Sequence, residues 1–210
     1  MLVLDDAGRN RHAAEDGLYH RLSRSGRVVC AADLRGTGDM RPEVGRGNPG
    51  YTIPHDAEED FAWASLILGK SLLAQRIEDT LAILQALENL GHARVVLSAK
   101  GRLTIPALFA FALWPRAEKL YLSGGLASYE AMLESEYYKQ PLANLAFDLY
   151  RNVDLPDLAR SSAPRKIHLA GMQDGAGKTF SEAAVRKIYS SSNVQVSAEP
   201  AWDESAFQSL

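Results

Sequence analysis

Residues 94–110, RVVLSAKGRLTIPALFA, read as an apolar strand, a tight turn and an apolar helix. This is the local shape that lifts a nucleophile above a sheet, with a G-x-S-x-G turn presenting Ser to a substrate. Here the turn reads Ala99-Lys100-Gly101-Arg102-Leu103, or Ser98-Ala99-Lys100 one residue earlier. Neither register places Ser, Cys or Asp at the apex. Acyl transfer would therefore need its reactive group from somewhere else. Loops at the carboxyl ends of parallel strands form the expected ligand edge. Asp5, Asp6, Asp33, Asp39, Lys100, Arg102, Ser123 and Asp174 all follow predicted strands. His12 opens the segment after the first strand, and His55 and Asp56 lie in a long loop.

Acids and imidazoles gathered at one edge suit a divalent cation that activates water. Asp5, Asp6, His12, Asp33 and His55 are the candidate ligands, for zinc or manganese. Each Asp taken singly also fits a helix cap or a turn, and no H-x-x-x-H spacing reinforces the group. Lys100 and Arg102 flank the start of a helix, where exposed N–H groups favour anions. They are candidates for holding a phosphate or carboxylate or for stabilising an oxyanion, or else are two solvated cations.

The run Gly171–Thr179, GMQDGAGKT, resembles a phosphate-binding loop, but its Gly-Lys-Thr stands one residue too far from Gly171. No nucleotide or organic cofactor is expected. His168 falls in an apolar strand, as a satisfied core histidine would. His20 and His92 are expected on exposed helix positions. Trp63, Trp114 and Trp202 read as core or subsite aromatics, and nothing in their spacing marks a carbohydrate platform.

These residues need elements to hold them. Apolar strands are expected near Leu2–Asp5, Arg27–Asp33, Arg94–Ser98, Lys119–Ser123, Lys166–Ala170 and Val194–Ala198. Helical stretches are expected near 11–24, 61–90, 102–113, 127–150 with a break at Pro141, and 180–190. The apolar spacing of Leu72, Leu73, Ile77, Leu81, Leu84 and Leu87 has helical period. Strands alternating with helices predict a three-layer α/β/α fold with a mostly parallel sheet of six strands. The Gly/Pro-rich and acidic stretch 35–60 reads as a long loop.

The chain has 210 residues and a net charge of −3, enough for one α/β domain, 1–210. That charge gives no general attraction to nucleic acid or an anionic membrane. No apolar run reaches the roughly 18–20 residues of a membrane span, and the N-terminus lacks signal-peptide features. A single Cys30 forms no internal disulfide, which suits a cytoplasmic setting. Cys30 lies in an inferred edge strand, and exposed edges invite pairing; a homodimer through that edge is one expectation, and a buried small side chain is the other.

Several segments together resemble a known family. AADLRGTGD (31–39), LGKSLLAQRIEDTLAILQAL (68–87), VVLSAKGR (95–102), YLSGGLASYEAML (121–133), VDLPDLARSSAPRKIHLAG (153–171) and QDGAGKTFSEA (173–183) look like the C-terminal α/β-hydrolase portion of acetyl-xylan-esterase-like proteins. The resemblance implies that the first strand here matches the family's third, that the chain is truncated at its N-terminus, and that Arg27–Asp33 is an edge strand. It also places the nucleophile position on Gly101 and the acid on Asp174. The general-base His is absent, since no His follows His168. Two functions remain open. One is an unconventional hydrolase of small-molecule esters or phosphoesters, its water activated by a metal or carboxylate, with Lys100, Arg102 and Asp174 as catalytic candidates. The other is a non-catalytic esterase-derived domain for binding or assembly.

Overall fold

The computed structural model describes residues 1–42 and 57–208. Six strands form one sheet: β1 (Leu2–Leu4), β2 (Cys30–Ala31), β3 (Val95–Lys100), β4 (Ala117–Ser123), β5 (Lys166–Ala170) and β6 (Val194–Ser197). Their order is β2-β1-β3-β4-β5-β6, and every pairing is parallel. The fold is three-layer α/β/α, as the alternation of strands and helices predicts. β2 lies at the edge of the sheet.

Strand alternation divides the core. Leu2, Leu4, Leu97, Ala99, Leu120, Leu122, Ile167 and Leu169 share one face and belong to the larger apolar cluster. Helices α3 (Leu72–Asn89), α4 (Thr104–Leu113), α7 (Leu155–Ser161) and α8 (Glu182–Ile188) supply Leu84, Phe111, Leu155 and Val185 to that cluster. On the opposite face Val3, Tyr121 and Ala170 meet Leu18, Tyr19 and Leu22 of α1 (Leu18–Arg24) and Phe207 of α9 (Glu204–Gln208). Burial on both faces explains why the strands read as nearly unbroken apolar runs.

Four expected elements differ. The helix expected near 11–24 is a 3₁₀ turn at Arg9–His12, which holds His12, followed by α1 from Leu18; the chain folds back at Gly17, where a Cβ would collide with the His12 carbonyl. The single helix expected over 61–90 is two, α2 (Ala57–Ile67) and α3. Gly69 adopts a positive φ of 76° between them, and Ser71 starts α3 by accepting the Ala74 N–H at 3.2 Å. A glycine followed by a side-chain cap ends one helix and begins another, whatever the surrounding apolar period. The strand expected over Arg27–Asp33 is only Cys30–Ala31, because β1 offers a short ladder to pair with.

The helix expected over 127–150 breaks into α5 (Tyr129–Leu133), a 3₁₀ turn at Leu142–Asn144 and α6 (Leu149–Asn152). It is followed by α7, whose capping box joins Asp154 to Asp157. The long loop expected over 35–60 lies partly outside the described residues; within them it contains a 3₁₀ turn at Gly38–Met40, and its last four residues, 57–60, are helical and open α2. No helix among those described is long and apolar enough to cross a membrane.

Candidate functional site

The turn after β3 is the centre of the C-terminal sheet edge. Gly101 stands at its apex with φ +58°, a conformation that favours glycine. Residues Gly101–Leu103 form a 3₁₀ turn that runs directly into α4. The Thr104 hydroxyl donates to the Gly101 carbonyl at 2.8 Å and tightens this start.

Asp6, from the loop after β1, approaches the apex. Its Oδ2 accepts the backbone N–H of Arg102 at 3.2 Å. A Cβ built onto Gly101 would overlap this carboxylate. The carboxylate of Asp6 therefore fills the volume into which a side chain at the apex would project. Burial pushes the Asp6 carboxyl above its ordinary value, with the charge of Asp5 adding to the shift and the Arg102 amide opposing it.

A cleft of about 480 Å³ opens beside this pair. Its walls include Asp6, Gly101, Arg102, Lys139, Gln140 and Gln173. Lys139 comes from the segment after α5. Its backbone N–H donates to the Gly175 carbonyl at 2.8 Å, and its stem lies along Gly177, where an added Cβ would come 3.0 Å from Cδ. The cleft thus joins a carboxylate, an ammonium group and two carboxamides above the sheet. Pockets with a few convergent polar groups at this edge of an α/β sheet are the usual place for ligands.

The remaining candidate residues are held in specific contacts. Arg102 forms an ion pair with Glu58 of α2, and Glu58 also pairs with the fully buried Arg76 of α3. Lys100 places its Nζ 5.9 Å from the ring centroid of Trp202. Asp174 accepts the Lys178 N–H at 2.8 Å and closes its own turn. Asp33 accepts the N–H groups of Arg9 at 2.7 Å and Asp39 at 2.9 Å. His168 Nε2 lies 3.0 Å from the Ser197 hydroxyl, and burial lowers its pKa, as suits a core histidine.

Of the five residues considered as metal ligands, Asp5 and His12 come together on the α1 side of the sheet. His12 Nε2 is 3.4 Å from the buried Oδ2 of Asp5, and its ring meets Tyr19 edge-on with centroids 5.8 Å apart. Burial lowers the His12 pKa while Asp5 opposes the shift. Asp6 faces the cleft and Asp33 the neighbouring loop; His55 lies outside the described residues. No group of three or more His, Cys, Asp or Glu among the described residues is arranged to hold a metal ion. Cys30 is a free, half-buried thiol whose pKa burial raises.

Sequence reasoning missed Lys139 and the closeness of Asp6 to Gly101. Lys139 sits in a loop without any motif. The contact between Asp6 and Gly101 links residues far apart in the chain, and only the pairing of β1 beside β3 brings them together.

No protein-family model and no curated protein matches the chain. Among solved structures, it is similar to one from Bacteroides fragilis NCTC 9343 described as a "putative acetyl xylan esterase". The two align with a TM-score of 0.71 and 18% identity, over 93% of this chain and 57% of the other. The likeness shows an esterase-like α/β fold. This chain spans little more than half the length of that neighbour.

Proposed function

We propose that this domain hydrolyses an ester of a carbohydrate, using the Asp6 carboxylate as a general base on water. One observation carries the reading: Asp6 fills the apex volume above Gly101 and lines the polar cleft there. The carbohydrate comes from the printed description of the structural neighbour.

A general base works best when its pKa approaches the working pH, and burial moves Asp6 in that direction. Asp6 takes a proton from a water in the cleft. The resulting hydroxide adds to the ester carbonyl, and the negative charge on the carbonyl oxygen faces the Lys139 ammonium group. Collapse of the tetrahedral intermediate breaks the bond to the alcohol, which leaves with the proton that Asp6 received. No covalent enzyme intermediate forms, so an apex Ser and a partnering His are not required.

A second reading, binding without turnover, is favoured by the hydrogen bond from Arg102 to Asp6. That N–H is the donor that would face an oxyanion at an open elbow, and here it holds the chain's own carboxylate.

Turnover of acetylated oligosaccharides and aryl acetates, with and without a chelator, separates the alternatives. The carboxylate route predicts turnover that is indifferent to the chelator and lost in Asp6→Asn. Turnover abolished by the chelator and restored by zinc or manganese would transfer the role to a metal, with Asp5 and His12 as the first ligands to substitute. Binding of oligosaccharide with no turnover would establish the second reading.

A further inference from the structure

A second cleft, of about 510 Å³, shares the wall Lys139-Gln140-Pro141 with the first. It is also lined by Trp63 from α2 and by Tyr138 from the segment after α5. These two large aromatic side chains remain 52% and 55% exposed. Leu142 and Leu145 extend the apolar surface, and Glu59 stands at the rim. Trp63 is exposed although it lies on a helix that buries Ala62 and Ser65 against the domain. An indole left facing a cleft in this way is available to a ligand.

We infer that Trp63 and Tyr138 form a subsite for a pyranose ring, so that a saccharide chain lies across both clefts with its ester beside Asp6. The inference rests on the proposed function for the position of the ester. A sugar ring has an apolar C–H face and a rim of hydroxyl groups. Aromatic faces match the first. Glu59 accepts hydrogen bonds from hydroxyls, the Lys139 ammonium donates them, and the Gln140 carboxamide does both. A wholly apolar ligand would leave these polar groups desolvated without partners, which is unfavourable. The common wall sets the two clefts side by side, with Lys139 and Gln140 within reach of a ligand in either.

Calorimetric titration of the chain with xylotriose, cellotriose and mannotriose tests the subsite, with the change in tryptophan emission that is lost in Trp63→Phe as a second readout. At least one trisaccharide should bind and shift the emission. Trp63→Ala and Tyr138→Ala should each weaken binding by about tenfold, while Trp63→Phe, which keeps a ring, recovers most of the loss. Circular dichroism confirms that each variant is folded. Trisaccharide binding retained in Asp6→Asn while hydrolysis of an acetylated oligosaccharide is lost supports the subsite and separates it from the catalytic reading. Binding to none of the three sugars, or binding unchanged in both alanine variants, would overturn the inference.

Discussion

Oδ2 of Asp6 accepts the Arg102 N–H at 3.2 Å, and the carboxylate occupies the space above Gly101 that an apex side chain would need. A loop residue from β1 has taken the position of an elbow residue after β3. The consequence is a polar cleft whose acid comes from the loop after the first strand.

Gly101→Ser should destabilise the protein. Its φ of +58° is strained for a residue with a Cβ, and that Cβ meets the Asp6 carboxylate. The strain alone costs about 1–3 kcal/mol. Adding Asp6→Ala should relieve the steric part, so the double variant is less destabilised than the sum of the two singles. Urea unfolding of the four proteins measures this coupling.

Asp6 should also mark the pH dependence of stability. Its carboxyl titrates above the ordinary value in the folded chain, so the folded state retains a proton that the unfolded state has lost. Stability should therefore fall as pH rises from the ordinary carboxyl value through the raised one. Asp6→Asn removes this slope, and urea midpoints measured across the window should become flatter.

Glu58 bridges Arg76, which is 0% exposed, and Arg102 on the cleft wall. Burial lowers the Arg76 pKa while Glu58 supports the charged form. Glu58→Gln leaves a buried guanidinium without its counter-charge, at a cost of about 3–5 kcal/mol. Arg102→Ala should cost less, since Arg102 is partly exposed and Glu58 keeps Arg76. Thermal unfolding of both variants tests the order.

His12 should report the charge of Asp5. Burial lowers its pKa, so stability from this group is present above the unfolded value and is lost as pH falls toward the folded one. In Asp5→Asn the opposing charge disappears, and the His12 titration followed by NMR should move to lower pH. An unchanged titration would mean that the 3.4 Å approach is not maintained in solution.

The sheet was legible because its strands are buried on both faces and written as apolar runs, from Val95 to Leu97 and from Leu120 to Leu122. The helix pair α2 and α3 was less so. Gly69 and Ser71 interrupt the pattern by backbone geometry and capping, which a count of apolar positions does not register. The site was partly legible. Asp6, Lys100 and Arg102 are apparent as polar groups after strands. Their partners are not, because Glu58 reaches Arg102 from a distant helix and Trp202 reaches Lys100 from the end of the chain. Asp33 and Asp174 follow strands in the same way, yet hold the backbone of their own surroundings.

The most direct test of the account is the pH–rate profile for hydrolysis of an acetylated oligosaccharide by the wild-type chain and by Asp6→Asn. Turnover should rise with pH through one ionisation, displaced upward from the ordinary carboxyl value. In folded Asp6→Asn it should fall by about 10²–10⁴-fold. Turnover that is the same in both proteins, or absent from the wild type while the sugar binds, would contradict the account.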